Sequence, residues 1–306
     1  MSYRGELFAL LTAVCWAGSS TAFAYASRAS GSLGANQFRL LVAVPALMLL
    51  ALATTGRFWP DAGAERLWLL VASGLVGLAL GDVGLFHALA VLGPRVSSVV
   101  MATWPAFTVA IEAARGAVPT AAVVVGVVAT VVGVVLVLLR SRGGTAWNPH
   151  LTRAQWVTGI VGALVGAVGQ AGGIVLGRAA MAAGPDLPDG LDPLLATVVR
   201  MSAGVLGVQL VLTWRRQPLA LLRVLQDRRS TTAALVGAVF GPVIGVWLSM
   251  LAAHEAHDLG VASSLMATTP IFLLPLSRWL YGARIGWLGL VGTLLAVGGA
   301  VLSLLG

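Results

Sequence analysis

Apolar positions in this chain come in long continuous runs, as at Val123–Leu139 and Leu288–Leu305, rather than in alternation. A membrane-spanning strand alternates apolar and polar side chains, and a soluble amphipathic helix keeps one polar face. An unbroken apolar run of about 20 residues is the pattern of a transmembrane helix. The pattern predicts ten spans, at about 5–27, 34–55, 67–92, 95–115, 119–140, 155–177, 193–214, 231–253, 259–281 and 285–305. Glycine, proline and charge mark the breaks, the wider polar gaps being Arg140–Arg153 and Arg215–Arg229. The predicted fold class is therefore an all-α polytopic membrane protein.

Composition narrows this further. Of 306 residues, 58% are hydrophobic and 10% charged, whereas soluble domains carry about 25% charged residues. A soluble globular protein and a disordered chain are both excluded. The 19 basic residues are all arginine and outnumber 11 acids, for a net charge of +8. These arginines sit mostly at the ends of apolar runs, which fits membrane topology rather than a nucleic-acid-binding face. The lone Cys15 permits no internal disulfide. The first apolar run is too long for a cleavable signal peptide, and only Arg4 precedes it. Richness in Ala, Val, Gly and Arg without Lys suggests a bacterial source.

An internal repeat organises the chain. Val96-Ser-Ser-Val-Val-Met-Ala-Thr-Trp-Pro-Ala-Phe107 matches Val261-Ala-Ser-Ser-Leu-Met-Ala-Thr-Thr-Pro-Ile-Phe272 at seven of twelve positions. Gly126 and Gly133 of span 5 align with Gly292 and Gly299 of span 10, and Arg39 of span 2 with Arg200 of span 7. The expected units are 1–142 and 153–306, each of five spans. An odd number of spans reverses the second unit in the membrane. Inverted repeats are characteristic of secondary transporters, with the binding site where the units meet near the midplane.

These features resemble the EamA-like branch of the drug/metabolite transporter superfamily. The residues that carry the resemblance are Met-Ala-Thr-x-Pro at 101–105 and 266–270, Trp16, Arg39, Arg200 and the glycine-rich spans 5 and 10. The resemblance implies a ten-helix carrier of small metabolites in the cell membrane, often an exporter of amino acids or related solutes. Two departures stand out. Where the family has Gly-Glu after spans 4 and 9, this chain has Gly116-Ala117 and Gly282-Ala283. Small multidrug carriers of the superfamily hold a glutamate within the first helix, whereas span 1 has only Glu6 at its start.

Candidate chemistry lies inside the spans. An ionisable group deep in a bilayer costs about 2.5–3.5 kcal/mol on insertion scales and points to function. Asp82, between Gly81 and Gly84, is the one acid deep in a span; the others lie at ends or in loops. A desolvated carboxyl there suits a proton-coupled carrier, and the competing reading is a carboxyl held by Arg39 or Arg200. Arg39 and Arg200 read as gates or as partners of a substrate carboxylate, or else as snorkelling side chains. His87 follows Asp82 by five residues, which places the two on different helix faces. Trp16 and Trp104 read as cavity walls, as does Gln170, which falls in span 6 where Trp16 falls in span 1. Pro105 and Pro270 each remove a hydrogen bond and kink their helices, and the freed carbonyls face a cavity or meet the hydroxyls of Thr103 and Thr268. The expected substrate-binding set is thus Trp16, Arg39, Asp82, Thr103, Trp104, Gln170, Arg200 and Thr268.

Other motifs fail. His254-Glu-Ala-His257 has its second histidine one position too early for a zinc helix, and Asp186, Asp189 and Asp192 lack EF-hand spacing. No phosphate-binding loop or nucleophile elbow is present, so no cofactor is expected. The expected partners are a small solute, the lipid bilayer and protons as coupling ion. A membrane enzyme acting on lipid or isoprenoid substrates is the alternative class. Terminus-side loops hold five arginines and the other side twelve, outside Arg39 and Arg200. The positive-inside rule thus places the termini outside, while the resemblance implies cytoplasmic termini.

Overall fold

A computed structural model describes residues 3–116, 118–141, 147–185, 187–257, 259–281 and 286–302. Asp186, Asp258, Ala117, Gly282 and Ala283 lie outside the described residues. Spans 1 to 10 are Arg4–Ser30, Ser32–Thr55, Ala64–Leu92, Pro94–Ala114, Ala121–Ser141, Arg153–Met181, Pro193–Trp214, Arg228–Glu255, Leu259–Tyr281 and Trp287–Leu302. Nine of these have the length and hydropathy to cross a membrane, and the tenth is a shorter apolar helix among the described residues. Spans 1, 3, 6 and 8 run beyond their expected ends, and a short helix, Leu222–Gln226, occupies the polar gap before span 8.

Local chemistry sets the helix ends. Gly31 (φ 93°) alone separates spans 1 and 2, and Gly93 (φ 82°), followed by Pro94 at the first helical position, separates spans 3 and 4. A side chain in those left-handed conformations would be strained. Thr152 and Gln155 form a capping box at the start of span 6. Asp192 accepts from the amides of Leu194 and Leu195 at span 7, and Asp227 from those of Arg229 and Ser230 at span 8. Two of the peripheral acids are therefore helix caps.

Packing shows the relation between the units. Span 6 packs on spans 3 and 4, and span 1 packs on spans 8 and 9. Span 2 pairs with span 7, and span 5 with span 10. Exchanging spans 1–5 with spans 6–10 maps every one of these contacts onto another or onto itself, as a twofold axis requires. The protein is two inverted five-helix repeats, and its cores are shared between them rather than held within each.

Two interruptions recur in both repeats. Spans 3 and 8 each contain a seven-residue wide turn, at Leu75–Gly81 and Val239–Gly245. Such turns widen the helix and frequently mark functional positions. Gly77 and Gly81 in the first match Gly241 and Gly245 in the second. A Cβ on Gly81 would lie 3.1 Å from the Gly169 Cα of span 6, and one on Gly245 would lie 2.9 Å from the Trp16 ring of span 1. The second interruption splits spans 4 and 9. Helix stops at Met101 and resumes at Trp104, and stops at Met266 and resumes at Thr269. Pro105 and Pro270 fall in the first turn of each resumed helix.

Candidate functional site

The site forms where both repeats contribute helices. A cavity of about 90 Å³ is walled by spans 1, 2, 3, 4, 6, 8 and 9. Its lining runs from Phe23, Leu89 and Ser98 to Trp16, Gln170 and Trp104. It therefore occupies the half of the bundle away from the termini. The centre of the terminus-side half is packed by a cluster that includes Ala9, Leu70, Met181, Val199 and Ala253, and a second, more peripheral cavity of about 540 Å³ lies beside it, lined by Thr108, Glu112, Arg178 and His257.

Of the residues expected at the site, the structure brings Trp16, Arg39, Asp82, Trp104 and Gln170 to this cavity wall. Arg39 and Asp82 form a buried ion pair between spans 2 and 3. The Arg39 Nε donates to Asn36 Oδ1 at 2.8 Å. Its guanidinium carbon lies 4.8 Å from the Phe86 ring centroid and 5.9 Å from that of Phe23. The two rings are themselves 5.0 Å apart. Arg39 is thus held by a carboxylate, an amide oxygen and two aromatic faces, which answers the snorkelling reading. A cation over aromatic faces in a desolvated place gains about 2 kcal/mol.

Thr103, Thr268 and Arg200 stand off the wall. The Thr103 hydroxyl donates to the Val100 carbonyl at 2.8 Å, and the Thr268 hydroxyl to the Leu265 carbonyl at 2.7 Å. Both threonines serve the helix breaks instead of a solute, because a short hydroxyl three residues along reaches the freed carbonyl first. Their neighbours Ala102, Trp104, Ala267 and Thr269 form the wall. Arg200 is 2% exposed and lies in the packed half, its Nη1 against the Met250 sulfur. It lies off the cavity because it enters from the opposite face to Arg39, as inversion dictates.

Sequence reasoning missed several wall residues, among them Phe23, Phe86, Ser98 and Thr269. The signal for Thr269 was present, since it is the repeat partner of Trp104. The wide turns were also missed; the paired Gly-x-x-x-Gly at 77–81 and 241–245, with Pro242 inside the second, is the mark they leave. His87 reaches Thr158 of span 6 at 3.2 Å, away from the cavity. Glu112 and Arg115 form an exposed pair at 3.4 Å at the end of span 4, the kind that contributes little.

Inverted helical repeats around a charged cavity define a secondary-carrier class of membrane protein. The model of the EamA-like transporter family matches the chain twice, over residues 3–139 and 157–305. The chain belongs to that family, as its sequence features suggested. It is a multi-pass membrane protein of a transporter family, which implies a small-molecule substrate and a lipid environment. No curated protein matches it. Among the matching solved structures, one described only as a crystal structure of a protein is 19% identical. It has a TM-score of 0.65 and is covered over 98% of its length by 100% of this chain. That likeness is one of fold.

Proposed function

We propose that this protein carries small amphipathic metabolites, such as amino acids, across the cell membrane of a bacterium by alternating access between repeats 1–142 and 153–306. The observation that carries the reading is the cavity between the repeats, where the Arg39–Asp82 pair lies among aromatic walls. A few polar groups on an apolar surface suit a small solute with one charged end. The Nη1 of Arg39 has no protein partner among the described residues, and neither does the amide of Gln170. Both are free to bind solute. The cavity lies on one side of the packed centre formed by Ala9, Leu70, Met181 and Val199, and the twofold relation permits the two sides to exchange.

The sequence holds no nucleotide-binding loop, so we assign the driving force to a solute or ion gradient, and we assign the direction to export on the family resemblance alone. Purified protein in liposomes tests this with radiolabelled mixtures of amino acids and of small carboxylic acids. Flux is expected with a counter-solute or an ion gradient and to stop when both are removed. Flux that persists without either replaces coupled transport by facilitated diffusion. Absence of flux for every solute overturns the transport reading.

A further inference from the structure

The charge count at the centre of the bundle does not close. Arg39 and Arg200 are each the eighth residue of their span, one entering from each face of the membrane. Each is therefore about 10 Å deep. Asp82 lies deep in span 3, directly after the wide turn Leu75–Gly81. Its repeat partner, directly after Val239–Gly245, is Val246. The repeats thus supply two arginines and one carboxylate, leaving one unbalanced positive charge. Among the described residues no other charged side chain lines the cavity.

The two arginines differ sharply in their surroundings. Arg39 has Asp82, Asn36 and two rings. Arg200 is as deeply buried, yet its Nε has no hydrogen-bond partner and its Nη1 meets a thioether. Its Nη2 faces Gly77 and Gly173, where spans 3 and 6 meet without side chains. An unsatisfied guanidinium in a bilayer interior is costly, and the remedy is a second negative charge.

We infer that the carried solute supplies that charge: it is a small organic anion, one carboxylate on an apolar body, which takes Arg39 while Asp82 turns to Arg200. This rests on the transport reading above and narrows its substrate class. The solute enters the cavity where Arg39 is presented, and its carboxylate competes with Asp82 for the guanidinium. The wide turn before Asp82 provides the freedom for that carboxylate to change partner. Two arginines, Asp82 and one anion sum to zero, so the loaded carrier crosses with no net buried charge. The empty carrier keeps one bare charge and does not cross, which makes the protein an exchanger.

The test uses the full chain in detergent and three probes with one body: 3-methylbutanoate, valine and isobutylamine, an anion, a zwitterion and a cation at neutral pH. Calorimetric titration is expected to show the anion binding at least tenfold more tightly than valine, and the amine not at all. Arg200→Gln removes the unpaired charge and is expected to bring the anion preference below threefold. Should that variant not fold, Asp82→Asn reads the same count in the other direction. It frees Arg39 and is expected to tighten anion binding. Equal or tighter binding of valine or the amine by the native chain overturns the inference, as does absence of anion binding. An anion preference that both variants leave unchanged overturns it too. Counterflow in liposomes separates this from the parent reading. Flux of neutral solutes alone sinks the anion and leaves transport standing, whereas bound anion with no flux of any solute sinks transport.

Discussion

Spans 3 and 6 close on each other beside the cavity through glycine contacts, and Gly169→Ala tests that closure. A Cβ at Gly169 would lie 2.6 Å from the Gly81 Cα and 2.8 Å from the Val76 carbonyl oxygen. Both are backbone atoms, so no side chain can swing away. Ordinary contact lies at about 3.5–4.0 Å, so the helices must part by about 1 Å. A gap of that size forfeits a quarter to a half of each contact it opens, and overpacking of this kind costs about 1–3 kcal/mol. The population open between spans 3 and 6 should rise by a factor of about 5 to 150. Gly18→Ala is the control, because nothing lies within 4 Å of a Cβ there. The assay is thermal unfolding in detergent, together with maleimide labelling at Ser73→Cys, a position buried against span 6. Gly169→Ala should lower the midpoint and speed labelling, and Gly18→Ala should do neither. Equal stability and labelling in the two variants would refute the reasoning.

Three further outcomes follow from the geometry. In a double-mutant cycle, Arg39→Gln and Asp82→Asn should each destabilise by about 3–5 kcal/mol, since each leaves a buried charge alone; the double variant should cost clearly less than the sum, and additivity in thermal unfolding would show that the pair is not coupled. Gln37 donates to Gln209 and to the Pro218 carbonyl and accepts from the Leu221 amide, so Gln37→Ala should cost about 1–3 kcal/mol and expose the 215–227 connection to limited proteolysis. Asp192→Ala removes the cap of span 7 and should cost about 1 kcal/mol while solute flux in liposomes stays as in the native chain.

Much of the architecture was legible in the sequence because a bilayer leaves little choice. Lipid cannot satisfy backbone polar groups, so each long apolar run had to be a helix. The match of 96–107 with 261–272 then revealed the two units, and an odd number of spans inverted them. Asp82 and Arg39 stood out because charge within a span is rare and costly. Sequence alone could not say which groups meet. Helix rotation at Asp82 depends on the wide turn before it, and such a turn comes from packing around paired glycines rather than from propensity. The threonines were named for the cavity, yet local carbonyls claim their hydroxyls. The arginines look equivalent in sequence, and only the tertiary structure separates them. One carboxylate lies between two inverted copies, and in the conformation seen here the cavity lies on the side of Arg39, leaving Arg200 packed in the closed half.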